Sequence, residues 1–246
     1  MKYMGSKARL SKDLAPIINK LIKENNIDTY IEPFVGGANM IDKIQCTTKT
    51  GCDLHKQLIA LLNYAKDYSE LLPVHISEEE YNEVKNNKDE YEDWYIGLIG
   101  FCATFSGKYF GGYARSFKSD GITPRDMSNE CIRNLKKQAP SLKDIKFKCC
   151  SFLDLPKDKI QGYVIYCDPP YRGTTKYKTE EFPYEEFYQW CRDMSIHNTV
   201  LISEYNMPDD FECIWQKETK VNFDSNRTSN DINNKRIEKL FTYTKK

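Results

Sequence analysis

The sequence predicts an α/β fold in which a parallel sheet carries helices on both faces and is interrupted by an insertion. Short apolar segments that end in an acidic residue alternate with segments of helical apolar spacing at both ends of the chain, whereas the middle lacks this alternation. A length of 246 residues suits one full-sized α/β domain or a core domain with a smaller insertion. We predict the second organisation.

The first elements alternate as a parallel sheet requires. Apolar residues from Leu10 to Leu21 recur at spacings of three and four, which predicts a helix. The segment TYIEPFVGGANM indicates a short strand that ends in Glu32 and Pro33, then a glycine turn and the start of another helix. A second strand should end at TGCDLH, and KQLIALLNYA predicts the helix that follows it.

Charge separates the middle of the chain from the rest. Residues 77–93 hold eight acids and two lysines, which is typical of a solvated helical face. Residues 106–148 hold ten basic residues and four acids, and they begin with the glycine and aromatic string SGKYFGGYARSF. We interpret residues 74–145 as the insertion.

Alternation resumes in the last hundred residues. The segments IKFKCCSFLDL, YVIYC and TVLISEYNM predict strands, YEEFYQWCRDM predicts a helix, and KRIEKLFTYTKK predicts the last strand.

Composition limits the function classes. The chain has 36 basic residues (lysine and arginine) and 36 acidic residues (aspartate and glutamate). The net charge by itself therefore predicts neither a nucleic-acid nor a membrane partner. Nine scattered cysteines and three histidines show no metal-ligand spacing, and the longest apolar run, Trp94 to Phe105, is too short to cross a bilayer. With no secretory leader, we expect reduced thiols, no metal and a cytoplasmic protein.

Three acids are predicted at strand ends, where open parallel sheets bind ligands. Glu32 precedes a Gly36-Gly37 turn, which taken alone is as consistent with a plain turn as with a ligand loop. Asp53 follows 21 residues later, about where nucleotide-binding units place an acid that accepts from ribose hydroxyls. Asp168 is the third.

The segment CDPPY is the most specific motif. Two prolines after a strand fix the backbone and supply no N–H groups, so their carbonyls can accept hydrogen bonds. The Asp168 carboxylate and the Pro169 carbonyl would form two acceptors for one amino group, with the flat ring of Tyr171 beside them. Such an arrangement suits an exocyclic NH₂ on a planar base; the alternative is a turn with an N-capping aspartate.

The ordered set KYMGSK, EPFVGGAN, an insertion and DPPY resembles the Dam-like DNA adenine-N6 methyltransferases over nearly the whole chain. The resemblance implies a Rossmann-like methyltransferase fold with a parallel or mixed sheet. Residues 1–73 and 146–246 would form the catalytic domain, and residues 74–145 a mainly helical target-recognition insertion with a β-hairpin.

The resemblance also implies S-adenosylmethionine as the methyl donor and assigns residues to each ligand. The donor-binding residues would be Tyr3, Lys7, Glu32, Pro33, Phe34, Gly36, Ala38, Asp53, Phe152 and Asp168. Tyr3 as a core aromatic and Lys7 as a solvated cation remain alternatives. The catalytic residues would be Asp168, Pro169, Pro170 and Tyr171, which would hold and stack on an adenine flipped out of the duplex.

The basic middle is then expected to face double-stranded DNA. The DNA-binding residues would be Lys108, Phe110, Arg115, Arg125, Lys136 and Lys137. Arg115 stands where the family places a base-reading arginine, but Phe110-Gly111-Gly112 replaces the family's Tyr-Asn-Gly, so the frequent GATC target is not predicted. We expect a monomer with no membrane partner. Methylation of cytosine N4 or RNA, and a DNA-binding protein without catalysis, are the alternatives.

Overall fold

The computed structural model describes residues 1–172, 182–220 and 235–244. These residues divide into two compact units, Met1–Asp154 and Leu155–Lys246.

The first unit contains three parallel strands in the order β3-β2-β1. They are β1 (Thr29–Glu32), β2 (Thr48–Asp53) and β3 (Ile145–Cys149). Glu32 and Asp53 are the last residues of adjacent parallel strands, so both acids lie at the same edge of this part of the sheet. The strands predicted at these positions are confirmed.

Five α-helices belong to the same unit. They are α1 (Ser11–Glu24), α2 (Lys56–Tyr68), α3 (Glu78–Asn86), α4 (Asp93–Cys102) and α5 (Met127–Gln138). Helix α1 buries Leu14, Ile18 and Ile22, the stripe that the apolar spacing predicted. Helix α4 crosses α2 closely at Gly97, where a Cβ atom would lie 2.2 Å from the Gln57 carbonyl oxygen.

Two predicted elements of the first unit are wrong in detail. The helix expected after the glycine turn is a single 3-10 turn, Ile41–Lys43. The predicted hairpin of the insertion appears, in the residues described, as two isolated antiparallel bridges, Thr104 with Tyr113 and Phe117 with Pro124. A continuous ladder is not favoured there, because Pro124 has no N–H group to donate and glycines interrupt the segment.

Among its described residues, the second unit contains four strands and one α-helix. They are β4 (Val164–Cys167), α6 (Tyr184–Met194), β5 (Thr199–Glu204), β6 (Phe211–Lys220) and β7 (Lys235–Tyr243). The order within the unit is β4-β5-β7-β6; β4 and β5 are parallel, and the other two pairings are antiparallel.

Strand β6 was not predicted from the sequence. Its register against β7 shifts between Cys213 and Trp215, so a bulge breaks the two-residue period that indicates a strand. Phe211 is its one buried residue among those whose exposure is described.

The α/β class with both parallel and antiparallel strand pairs is confirmed. Residues 74–145 lie within the first unit, where α4 packs against α2, and their separation as a recognition domain stays a prediction. Within the described ranges, no helix combines the length and apolar character needed to span a bilayer.

Candidate functional site

The strand ends of the first unit carry two acids in different surroundings. The Glu32 side chain is buried, with 2% of its surface exposed, and its Oε1 atom accepts a hydrogen bond from the Tyr30 hydroxyl at 2.7 Å. Tyr30 and Glu32 are two residues apart on one strand and therefore point to the same face.

The Asp53 carboxylate organises the loops after β1 and β2. Its Oδ2 atom accepts from the Gly36 N–H at 3.1 Å, and its Oδ1 atom accepts from the His55 N–H at 3.0 Å. Burial raises the pKa of Asp53, while the backbone N–H groups act in the opposite direction. Each carboxylate oxygen can accept a second hydrogen bond, so Asp53 can hold both loops and still accept from a ligand hydroxyl.

The glycine turn is tightly packed against Tyr3. Gly36 has a φ of +47°, and a Cβ atom there would lie 2.8 Å from Tyr3 Cε1. A Cβ atom on Gly37 would lie 2.8 Å from Tyr3 Cβ. Ala38 also adopts a left-handed conformation, with a φ of +55°, and is fully buried. The two glycines are therefore needed where the loop meets the tyrosine ring.

Two further predicted donor residues meet beside this loop. The rings of Phe34 and Phe152 lie 5.6 Å apart between centroids, at a tilt of 38°. Phe152 is buried in a 3-10 turn that follows β3, and Pro33 is buried before Phe34. Lys7 is half-buried at the start of the 3-10 turn Lys7–Arg9.

The Asp-Pro-Pro-Tyr segment directly follows β4 in the second unit. All four residues of β4 are buried, and the segment begins at its carboxyl end. The Pro170 carbonyl accepts from the Tyr184 hydroxyl at 3.0 Å, which links the segment to the start of α6. Pro169 is buried, whereas Pro170 is exposed and Asp168 is half-buried.

Tyr171 is held from two sides. Its ring lies edge-on to Tyr205 at 4.6 Å between centroids, and its hydroxyl donates to Glu238 Oε2 at 3.0 Å. Burial raises the pKa of Tyr171 well above the usual range, and the nearby Asp168 and Glu238 carboxylates add to this effect. The hydroxyl is therefore protonated, and it donates.

Sequence reasoning missed Glu204 as a candidate residue. It ends β5, has 2% of its surface exposed, and accepts from the N–H groups of Arg172 at 3.1 Å and Tyr205 at 2.7 Å. An acid at the carboxyl end of a predicted strand was the signal, since the same pattern identified the other three acids. Glu204 fixes the backbone just after the Asp-Pro-Pro-Tyr segment.

The two arginines predicted to bind DNA form ion pairs in this structure. Arg115 donates to both carboxylate oxygens of Glu78, with Nε at 3.1 Å from Oε2. Arg125 donates to both oxygens of Glu130, at 2.5 and 2.7 Å. Arg115 is exposed, and Arg125 is exposed in a loop just before α5. Their roles toward DNA stay predictions.

The other predicted DNA-binding residues are distributed over the same unit. The Phe110 ring packs against Tyr81 and Tyr109, at 5.5 and 4.8 Å between ring centroids. These contacts lie within residues 74–145, so the ring contributes to the packing of the insertion. Lys108 and Lys137 are exposed, and Lys136 is half-buried on α5. Across the ranges that the structure describes, no group of three or more potential ligands could hold a metal ion.

A glycine loop with acids at strand ends in one unit, and an Asp-Pro-Pro-Tyr segment after a buried strand in the other, define an α/β methyltransferase. Residues 3–228 match the model of the D12 class N6 adenine-specific DNA methyltransferases. The chain belongs to this family. The enzyme class predicted from the sequence, an adenine-specific DNA methyltransferase, is confirmed.

Curated relatives are similar at modest identity. Type II methyltransferase M.MjaIII of Methanocaldococcus jannaschii is 25% identical over 72% of this chain and 70% of its own length. Type II methyltransferase M.FokI of Planomicrobium okeanokoites is 24% identical over 71% of this chain, which spans 29% of that protein. Among solved structures, TrmN from Thermus thermophilus aligns at 11% identity and a TM-score of 0.37, over 98% of this chain and 52% of that one.

Proposed function

We propose that this protein transfers the methyl group of S-adenosylmethionine to N6 of an adenine flipped out of duplex DNA, at a specific site. The observation that carries the proposal is the position of Asp168, Pro169, Pro170 and Tyr171 directly after buried strand β4, with Tyr171 fixed by Glu238 and Tyr205. A base stacked on Tyr171 would present its exocyclic amine to acceptors in the same short segment.

Asp168 would raise the reactivity of that amine. The lone pair of an adenine amino group is delocalised into the ring, so the free amine is a poor nucleophile. Hydrogen bonds from its two N–H groups to the Asp168 carboxylate and the Pro169 carbonyl would return electron density to nitrogen. The nitrogen would then attack the sulfonium methyl in line as the methyl C–S bond breaks, S-adenosylhomocysteine would leave, and the methylated amine would lose one proton. Positioning would carry most of the catalysis.

The first unit would hold the donor. Asp53 would accept from the ribose hydroxyls while it holds the Gly36 and His55 N–H groups. Phe152, beside Phe34, would lie against the adenine ring of the donor, and the glycine turn with Tyr3 would form the adjoining wall. Pro33, Ala38, Lys7 and Glu32 belong to the same proposed donor site.

The insertion would bind the DNA. Lys108, Arg125, Lys136 and Lys137 would contact phosphates, Phe110 would support that surface, and Arg115 would read a base. The protein would act as a monomer in the cytoplasm. The assignments toward DNA are supported by the local positive charge of residues 106–148 and by the family.

Replacing Asp168 tests the proposal. Asp168→Ala should abolish methyl transfer from tritiated S-adenosylmethionine to duplex DNA, whereas Asp158→Ala, at an exposed aspartate of the same unit, should leave it unchanged. Digestion of the product to nucleosides should yield N6-methyl-2′-deoxyadenosine. Activity of Asp168→Ala within about tenfold of the unmodified enzyme, or recovery of N4-methyl-2′-deoxycytidine, would contradict the proposal.

A further inference from the structure

Helix α5 contacts the glycine turn through its last residue, Gln138. This side chain is buried, with 9% of its surface exposed. Its Nε2 atom donates to the Gly37 carbonyl at 3.2 Å, the Ala38 carbonyl at 2.9 Å and Asp42 Oδ2 at 3.0 Å. These acceptors are about 100 residues away in sequence, so the contact joins two distant parts of the first unit.

The chemistry of these partners fixes the orientation of the amide. All three groups around Nε2 are acceptors, so only the NH₂ end of the glutamine can face them. The Oε1 atom faces the opposite way and accepts from the backbone nitrogen of Met1. Both ends of the amide are satisfied, and no other neutral side chain of this length offers two donors and an acceptor in one plane.

The Gln138 contact holds a strained backbone. Ala38 has a φ of +55°, a conformation that is unfavourable for a residue with a Cβ atom, and its side chain is fully buried. A hydrogen bond to the Ala38 carbonyl opposes its rotation back to an ordinary conformation. The Gly37 carbonyl, on the preceding residue, is held by the same amide.

Other groups of the same turn make the contacts proposed for the donor site. The Gly36 N–H binds the Asp53 carboxylate, and Tyr3 lies against both glycines. The turn is therefore held by Asp53 through the Gly36 N–H and by Gln138 through the Gly37 and Ala38 carbonyls. A shift of the turn would move Asp53, Gly36 and Tyr3 together.

We propose that Gln138 is a positioning residue for the methyl donor, acting through the glycine turn. The inference rests on the proposed function, because it takes the turn as part of the donor site. It assigns a role in donor binding to a residue within 74–145, the segment predicted to recognise DNA. Gln138 acts on the donor through the Gly37 and Ala38 carbonyls and has no part in the chemistry of transfer.

The test compares Gln138→Leu, which removes the amide at similar volume, with Ile132→Val, a matched control at a buried residue on the same helix. The dissociation constant for S-adenosylmethionine is measured by calorimetry on the full chain, together with kcat, the KM for donor and the urea midpoint. Gln138→Leu should raise the dissociation constant and the donor KM about tenfold, as expected for the loss of its two hydrogen bonds to the turn carbonyls, with kcat within about threefold. Ile132→Val should lower the urea midpoint and leave donor affinity unchanged.

The outcomes distinguish failure of the role assigned to Gln138 from failure of the proposed function. Unchanged donor affinity in Gln138→Leu, or an equal loss in Ile132→Val, overturns the role of Gln138 and leaves the proposed function standing. If the unmodified protein does not bind S-adenosylmethionine, the proposed function fails and the inference fails with it. If Gln138→Leu does not fold, Gln138→Asn is measured in the same way, because its shorter stem cannot reach all three acceptors; unchanged affinity there overturns the inference.

Discussion

Substitutions of Tyr171 separate the contributions of its ring and its hydroxyl group. The ring lies against Tyr205, whereas the hydroxyl donates to Glu238. The raised pKa keeps this hydroxyl protonated through the neutral range, so it remains a donor. Tyr171→Phe removes only the hydroxyl, and Tyr171→Ala removes the ring as well.

The two substitutions should have effects of different size and kind. A hydrogen bond to a carboxylate contributes about 1.5 to 3 kcal/mol, so Tyr171→Phe should lower the free energy of unfolding by about that amount. Stacking of a base on an aromatic ring contributes about 1 to 3 kcal/mol. Tyr171→Ala should therefore lower kcat/KM a further 5- to 150-fold, roughly, below the value for Tyr171→Phe.

Urea unfolding and tritium transfer to duplex DNA measure the two quantities on the same preparations. Glu238→Leu, which removes the acceptor, is the matched control for the hydroxyl, and its effect on stability should not add fully to that of Tyr171→Phe, because both remove the same hydrogen bond. Equal losses of kcat/KM in Tyr171→Phe and Tyr171→Ala would refute the stacking role of the ring. Additive losses of stability in the double variant would refute the role of the hydrogen bond.

Three further predictions concern the first unit. In separate calorimetric titrations, Asp53→Ala should weaken the binding of S-adenosylmethionine at least about tenfold and the binding of DNA much less, since the expected partner of Asp53 is the donor ribose. Equal losses of affinity for the two ligands would contradict this. Hydrogen bonds from Arg125 lower the pKa of Glu130 to about 2, from near 4.5 in the unfolded chain. The Glu130 carboxylate therefore stabilises the fold above pH 4.5, and this contribution is lost as the pH falls toward 2. Between these two pH values, the urea midpoint of Glu130→Gln should change less than that of the unmodified protein. Arg115→Ala should lose about 1 to 3 kcal/mol of discrimination at one base pair, measured by methylation rates on singly substituted duplexes. A uniform loss across sequences, with the salt slope lowered by about one, would instead indicate a phosphate contact, which is the behaviour expected for Lys137→Ala.

The elements that were predicted correctly depend on local signals. Strand β4 is a continuous run of buried residues that stops at an acid and two prolines, and each of these features is visible within eight residues of sequence. Strands β1 and β2 likewise end at Glu32 and Asp53, where the chain turns. The candidate residues at these ends could be found because a strand end and an acid are adjacent in the chain.

The contacts that were missed join residues far apart in sequence. Gln138 binds carbonyls that precede it by 100 and 101 residues, and nothing in the sequence around it distinguishes it from a solvated glutamine near the end of a helix. The Tyr171 and Glu238 partners are 67 residues apart. Strand β6 was missed for a local reason, since its bulge disturbs the alternation by which a strand is identified.

The acidic segment 77–93 also contacts a residue predicted to bind DNA, because Glu78 pairs with Arg115. The sequence indicated a solvated helical face, but Glu78 also occupies the guanidinium that is predicted to read a base. An exposed ion pair contributes about 0.2 to 1 kcal/mol, whereas a correct bidentate contact with guanine contributes about 1 to 3 kcal/mol of discrimination. Exchange of Glu78 for guanine is therefore favourable, while exchange for a single phosphate yields little. Arg115 must leave Glu78 before it contacts guanine, whereas it can keep this pair on a non-cognate duplex. Glu78→Gln should accordingly tighten binding to the cognate site by up to about 1 kcal/mol in equilibrium titrations, and binding to non-cognate duplexes by no more than that. A larger gain on non-cognate duplexes would show that Glu78 acts on DNA by some route other than its pair with Arg115.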